Sequence, residues 1–270
     1  MRLRNVKVRP PFPIGAAPWP KGMPKPPVPS TTGIDYDTGW SRRYAARVVR
    51  AMWVDDVLRP LVHVLASPRV HGAERLADVV APVIFAANHN SHIDTPLILS
   101  SLPERFRHRA VVAAAADYFF PTRAKGAVSA LTIGAIPIGR QKINRKSSDQ
   151  AAALIDAGWN LVIFPEGTRS PDGWGQDFRG GAAYLAVRCG RPVVPVYVHG
   201  TRAVLGKGDR WPTRRGNPLA AKAGVHILMG TPLMPAHDED TRRFSARIQA
   251  AVAALGDEWA TDWWSARRRA

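Results

Sequence analysis

The strongest constraint on this chain is a set of short apolar runs, each closed by glycine or proline and separated by stretches of helical periodicity. Residues 83–87, 161–164, 193–198 and 225–229 are too short for buried helices and read as strands covered on both faces. Between them, Ser147 with Gln150 resembles a capping box that opens a helix, and Gly158 closes it. Residues 181–188 read as a second helix, and Phe244, Ile248, Val252 and Leu255 mark a third. Strands alternating with helices of this length predict one α/β domain over residues 69–270, built on a single main sheet. In such folds the functional side chains collect in loops that leave strand ends.

Two appendages precede that domain. Residues 1–38 are basic and crowded with prolines, which fix φ and remove hydrogen-bond donors, so they read as an extended tail. Residues 39–68 turn helical, with Tyr44, Val48, Val49, Met52, Trp53, Val57, Leu61 and Leu65 recurring at three- and four-residue steps. Arg42, Arg43, Arg47, Arg50 and Arg59 are interleaved with them, and Pro60 is expected to break or kink the helix. Such a segment either packs onto its own domain or lies in a lipid headgroup layer.

The hydrophobic content of 46% is that of a folded protein, whereas the formal charge of +17 points to an anionic partner: a membrane surface, a nucleic acid or acidic ligands. No helix-turn-helix, zinc-finger or aromatic RNA-binding signature accompanies the arginines, which argues against nucleic acid. The single cysteine, Cys189, excludes an internal disulfide and fits a reducing, cytosol-facing location. Prolines interrupt the stretch where a secretion signal would need its apolar core, and no run approaches the roughly 18 apolar residues of a membrane span. Any membrane contact is therefore expected to be peripheral, on the cytoplasmic face.

Two segments concentrate chemistry. Residues 88–94 (NHNSHID) follow a buried strand and bring two histidines and a carboxylate together. Imidazole is the side chain suited to take a proton near neutral pH, and a carboxylate on its other ring nitrogen would fix the tautomer, so His89 and Asp94 are a candidate base and orienter. The alternatives are hydrogen-bonded loop histidines, the better reading for His92, with Asp94 as a helix cap. A metal site of the HxHxDH kind would need histidine at Asn90 and at Thr95, so no metal ligand set is assigned. Residues 164–170 (FPEGTRS) form the second segment. Gly167 permits close backbone approach to a ligand, Thr168 and Ser170 offer hydroxyls, and Arg169 presents a fork of donors that matches a phosphate. Glu166 is expected to orient that arginine or to accept a substrate hydroxyl.

Taken together, these segments resemble the glycerolipid acyltransferases typified by 1-acylglycerol-3-phosphate acyltransferases. The family's NHxxxxD motif corresponds to residues 88–94, and FPEGTRS is matched in full at 164–170. A glycine and apolar run ending in arginine corresponds to residues 134–140, and a short strand around proline to 193–197. Residues 178–181 (FRGG) are similar to the segment that follows the FPEGTRS motif. The resemblance implies a mixed sheet flanked by helices and an O-acyltransferase activity. It further implies His89 as general base, Asp94 as its partner, and Arg140, Glu166, Gly167, Thr168 and Arg169 as the phosphate and acceptor site. Pro195 would support the acyl-donor side. The implied co-substrates are a lysophospholipid acceptor and an acyl thioester, either acyl-CoA or acyl carrier protein, with no cofactor.

Overall fold

The structure, a computed structural model, describes residues 32–139, 145–170, 175–206 and 224–268. Its strands are β1 (Arg69–His71), β2 (Ile84–Ala87), β3 (Ala110–Ala115), β4 (Ala135–Ile138), β5 (Asn160–Ile163), β6 (Val193–His199) and β7 (His226–Met229). They form one seven-stranded sheet in the order β1-β7-β6-β2-β5-β3-β4. Every neighbouring pair is parallel except β6 and β7, so the sheet is mixed, as expected.

Alternation along the strands divides the interior into two cores. Phe85, Ala87, Val112, Val162, Val194, Val196 and Val198 face one side. There they meet α3 (Asp94–Ser101) and the N-terminal helical segment through Leu97, Ile98, Val54, Leu58 and Val62. Ile84, Ala86, Val111, Ile136, Leu161, Ile163 and Val193 face the other side. That side is covered by α5 (Arg145–Asp156), α6 (Gly181–Cys189) and α7 (Thr241–Arg268) through Ala152, Ile155, Ala183, Ala186, Phe244 and Ile248. Burial on both faces is why these strands are nearly continuous apolar runs.

The four expected strands are present within a residue or two of their predicted ends, but β1, β3 and β4 were not foreseen. β1 is three exposed residues at the sheet edge. β3 reads AVVAAA, and alanine carries little strand preference. β4 holds Pro137, which an edge strand tolerates because one row of its backbone groups is unpaired. Ser147 does not cap α5. The helix is already formed at Arg145, and Ser147 and Ser148 are buried on its inner side. Gly158 does close it, at φ +83°, with its N–H donating to Ile155 O at 2.9 Å.

The N-terminal segment folds as α1 (Tyr44–Met52), a π-helical turn (Trp53–Leu58) and α2 (Arg59–Ala66). Pro60 sits in the first turn of α2, where the wide turn before it absorbs the missing donor and the crowded carbonyl, so the expected break takes the form of a change in helical register. Residues 33–38, the end of the stretch that composition assigns to the tail, lie against the domain. The Gly33 N–H donates to Phe120 O at 2.7 Å, the Tyr36 ring meets Phe120 at 5.4 Å, and Thr38 is buried.

The topology places the functional loops. The connection leaving β2 runs to β3 on the far side of β5, whereas the one leaving β5 runs to β6 on the far side of β2. The chain thus diverges between two adjacent parallel strands, and a crevice opens at their carboxyl ends.

Candidate active site

Both chemistry-bearing segments emerge at that crevice. Asn88, the first residue after β2, is bolted to β6: its Nδ2 donates to Val198 O at 3.0 Å, and the Val198 N–H donates to its Oδ1 at 2.7 Å. His89 follows, and the turn after it folds back so that Asp94, first residue of α3, lies under the imidazole. Asp94 is fully buried, and its Oδ2 accepts from His89 Nδ1 at 3.0 Å and from the Asn90 and Ser91 N–H groups at 2.7 Å each. A carboxylate oxygen facing Nδ1 requires the proton there, which leaves the Nε2 lone pair free. Phe164 stacks on the ring at 4.2 Å between centroids, with 28° between planes. The loop after β5 also grips the main chain of His89 on both sides, because the His89 N–H donates to Glu166 Oε1 at 2.8 Å and the Ser170 N–H donates to His89 O at 2.8 Å.

That bond corrects the expected role of Glu166. Its carboxylate is buried behind His89 and makes no ion pair with Arg169, so it braces the main chain of the base instead of orienting the arginine. Burial raises its pKa to about 7, and nearby Asp94 adds to the rise, against bonds from the His89 and Gln176 main chains that lower it. Its Oε2 is buried without a partner.

The imidazole opens onto a cavity of about 720 Å³. The cavity is lined by Val112, Ala113, Ala114 and Ala115 of β3, by Ser129 and Thr132 of the helix Arg123–Thr132, here α4, and by Ile133 just after that helix. The run of alanines that hides the strand from sequence reading is what leaves the space empty. Gly167, Thr168, Arg169 and Arg179 also line it. Gly167 has φ +73°, a conformation that favours glycine, and the Arg179 guanidinium lies close over its α-carbon. His92 lines the cavity and stacks on Tyr118 at 5.1 Å, apart from the dyad. Arg140 lies outside the described residues, although Gly139, which precedes it, is part of the cavity wall. Pro195 does not reach the cavity. It sits in β6, on the opposite side of β2 from β3 and β4.

Two participants escaped sequence reading as site residues. Phe164 was taken as the end of a strand, and Arg179 was noted only in its motif. The signal for both was membership of a motif, Phe164 opening FPEGTRS and Arg179 standing in the FRGG segment that follows it.

Residues 67–199 match the acyltransferase family model. The 1-acyl-sn-glycerol-3-phosphate acyltransferase of Chlamydomonas reinhardtii is 28% identical over 219 residues, which cover 80% of this chain and 60% of that protein. The human 1-acyl-sn-glycerol-3-phosphate acyltransferase beta is 33% identical over 124 residues, or 43% of this chain and 40% of that one. Residues 67–199 of this chain are an acyltransferase-family segment. The chain spans less than two thirds of the length of these relatives. A solved acyltransferase-family structure, the 1-acyl-sn-glycerophosphate (LPA) acyltransferase PlsC from Thermotoga maritima, shares the fold with a TM-score of 0.59 at 22% identity, over 82% of this chain and 83% of that one. The acyltransferase segment ends with β6, so it holds both functional loops and leaves out α1, α2, β7 and α7.

Proposed function

We propose that this chain transfers a fatty acyl group from an acyl thioester, acyl-CoA or acyl carrier protein, to the free hydroxyl of a lysophospholipid, 1-acylglycerol-3-phosphate first among them. The observation that carries the reading is the His89 and Asp94 dyad, with Nε2 left free beside a largely apolar cavity that Arg169 and Arg179 also line. The named relatives and the shared fold support it. In the reaction the acceptor hydroxyl gives its proton to His89 Nε2 as its oxygen bonds to the thioester carbonyl carbon. Asp94 stabilises the imidazolium so formed, the tetrahedral intermediate collapses with cleavage of the C–S bond, and the proton passes from Nε2 to the departing thiolate. The apolar cavity has the size and lining for a hydrocarbon chain. Arg169 and Arg179 in its lining, with Arg140, supply the cations for an acceptor phosphate.

Attachment to an anionic membrane surface, on its cytoplasmic face, belongs to the same proposal. No helix among the described residues is long and apolar enough to cross a bilayer. The segment from α1 to α2 presents Tyr44, Val48, Met52, Val57, Leu61 and Val64 outward, with Tyr44 80% and Val64 66% exposed. An apolar outer side on a basic protein suits a helix lying in the headgroup layer. Purified protein incubated with a panel of lysolipids and both donor types, followed by mass spectrometry of the products, tests the reading. Acylation of a phosphate-bearing lysolipid is expected, and no acylated product from any member would refute it.

A further inference from the structure

Helix α1 is inverted relative to an ordinary surface helix. Tyr44, Val48, Val49 and Met52 are exposed, while Arg47 and Arg50 point inward, toward the end of the sheet opposite the dyad. There three guanidinium groups share one aromatic ring. The Cζ atoms of Arg47, Arg50 and Arg109 lie 5.6, 5.8 and 5.8 Å from the Trp159 ring centroid. Trp159 precedes β5 and Arg109 precedes β3, whereas His89 and Phe164 follow the carboxyl ends of β2 and β5.

Arg50 is only 6% exposed. Among the described residues its one hydrogen bond is long, from Nη1 to Ser41 O at 3.4 Å, and both its Nη2 and the Nε of Arg47 are buried without partners there. Neither these two nor Arg109 has an ion pair with any described carboxylate; the neighbouring acids serve others, with Asp55 held by Arg59, Arg107 and His108, and Asp37 acting on Arg42. Burial, and after it repulsion from Arg42 and Arg47, lowers the pKa of Arg50 to about 10, which leaves it charged at neutral pH. One indole ring does not offset the burial of Arg50 beside like charges. A cavity of about 10 Å³ beside Arg47 and Arg50, lined also by Arg107 and His108 but not by Trp159 or Arg109, has room for one water at most, which could satisfy an N–H group but could not balance the charge and is not itself the place for an anion.

We propose that Arg47, Arg50 and Arg109 around Trp159 form a second anion site, for a phosphate-class oxyanion, at the opposite end of the sheet from the acceptor site. Guanidinium forks match the paired oxygens of a phosphate. The proposal goes beyond the acyl-transfer reading and does not depend on it. The phosphate has two sources: the headgroup of an anionic lipid in the surface against which the outer side of α1 lies, about one helix diameter of roughly 10 Å away, or a phosphate group free in solution.

The test uses the full chain carrying Arg169→Gln, so that phosphate at the acceptor site does not contribute. Inorganic phosphate at about ten times its Kd should raise the melting temperature by about 3–5 °C over chloride at equal ionic strength. The added pair Arg47→Gln and Arg109→Gln, at half-buried and exposed positions that the fold does not need, should abolish the rise. Arg50→Met should melt higher than its parent without phosphate and also fail to respond. In the lipid arm, the Arg47 and Arg109 pair should bind phosphatidylcholine vesicles containing phosphatidic acid several-fold more weakly than a control pair, Arg242→Gln and Arg243→Gln on α7, and should bind pure phosphatidylcholine equally. Loss of the phosphate response with unchanged vesicle binding assigns the site to free phosphate. A phosphate response no larger than that to chloride, or one that survives the Arg47 and Arg109 pair, overturns the proposal.

Discussion

Replacing Asp94 with asparagine isolates the electrostatic half of the dyad. The side chain keeps its shape, and its carbonyl oxygen can take the Oδ2 position, where it still accepts from the Asn90 and Ser91 N–H groups at 2.7 Å and from His89 Nδ1 at 3.0 Å. Turning the amide the other way would aim its NH₂ at three donors, so the geometry should survive. What is lost is the negative charge beside the imidazolium formed when His89 takes the acceptor proton. With an effective dielectric of about 20, two charges at the observed 3.0 Å separation attract by about 5 kcal/mol, an upper bound that relaxation will reduce. Of that, roughly 3–5 kcal/mol should appear in the barrier, a fall in kcat of about 100- to 10,000-fold. The assay is initial rate with donor and acceptor both saturating, alongside thermal melting. Asp94→Asn should melt within a few degrees of the parent, whereas Asp94→Ala, which strands two main-chain N–H groups, should melt well below it. A variant that turns over within about threefold of the parent while melting normally would refute the assigned charge stabilisation.

Glu166→Gln should raise the melting temperature at about pH 8 and leave it unchanged near pH 4. The folded protein holds this proton up to about pH 7, while the unfolded chain releases it in the ordinary carboxylate range, so the cost of the buried charge grows as pH rises through that window and is complete above it. Equal melting curves for the two proteins across that range would remove the buried charge from the account. Arg169→Ala and Arg140→Ala should each raise the apparent KM for a phosphorylated acceptor by roughly 10- to 150-fold, the equivalent of about 1.5–3 kcal/mol, with little change for an acceptor lacking the phosphate. Equal loss on both acceptors would place the arginines elsewhere in the reaction. Trp53 and Leu61 are half-exposed, so making both serine should leave the melting temperature nearly unchanged and weaken vesicle binding by roughly 30-fold, from about 1 kcal/mol of lost burial in lipid at each position. A large drop in melting temperature with unchanged vesicle affinity would show that these side chains serve the fold.

The dyad was legible because its parts are close in sequence. His89 and Asp94 are five residues apart across one tight turn, and local spacing dictates their contact once a helix starts at Asp94. The bond from the His89 main chain to Glu166 was not legible, since it joins positions 77 apart and depends on β2 and β5 being neighbours. Sequence supplied both strands but not their adjacency. Without it, Glu166 could only be assigned to the groups nearest in the chain, which led to Arg169. The substrate cavity escaped for a different reason. Periodicity reports what fills a core, and β3 is defined by what its alanines leave unfilled.

The N-terminal segment shows where a helical pattern stops short of a fold. Its apolar residues recur at helical spacing on more than one side, so periodicity alone offered packing on the domain and lying on lipid as alternatives. The structure resolves the first by using only one stripe: Val54, Leu58 and Val62 are buried in the core, while Tyr44, Val48, Met52, Leu61 and Val64 remain exposed. Nor do all the arginines face outward, as a headgroup-binding helix read from sequence would have them. Arg59 turns to Asp55, and Arg47 and Arg50 turn inward to Trp159. An isolated amphipathic helix would bury the apolar stripe and solvate the charges. This segment solvates apolar side chains and buries charge, an arrangement that costs free energy in water on both counts. Lipid against the outer side and an oxyanion against the inner arginines would remove both costs, which is why the two belong to one physical argument about how this helix meets its surroundings.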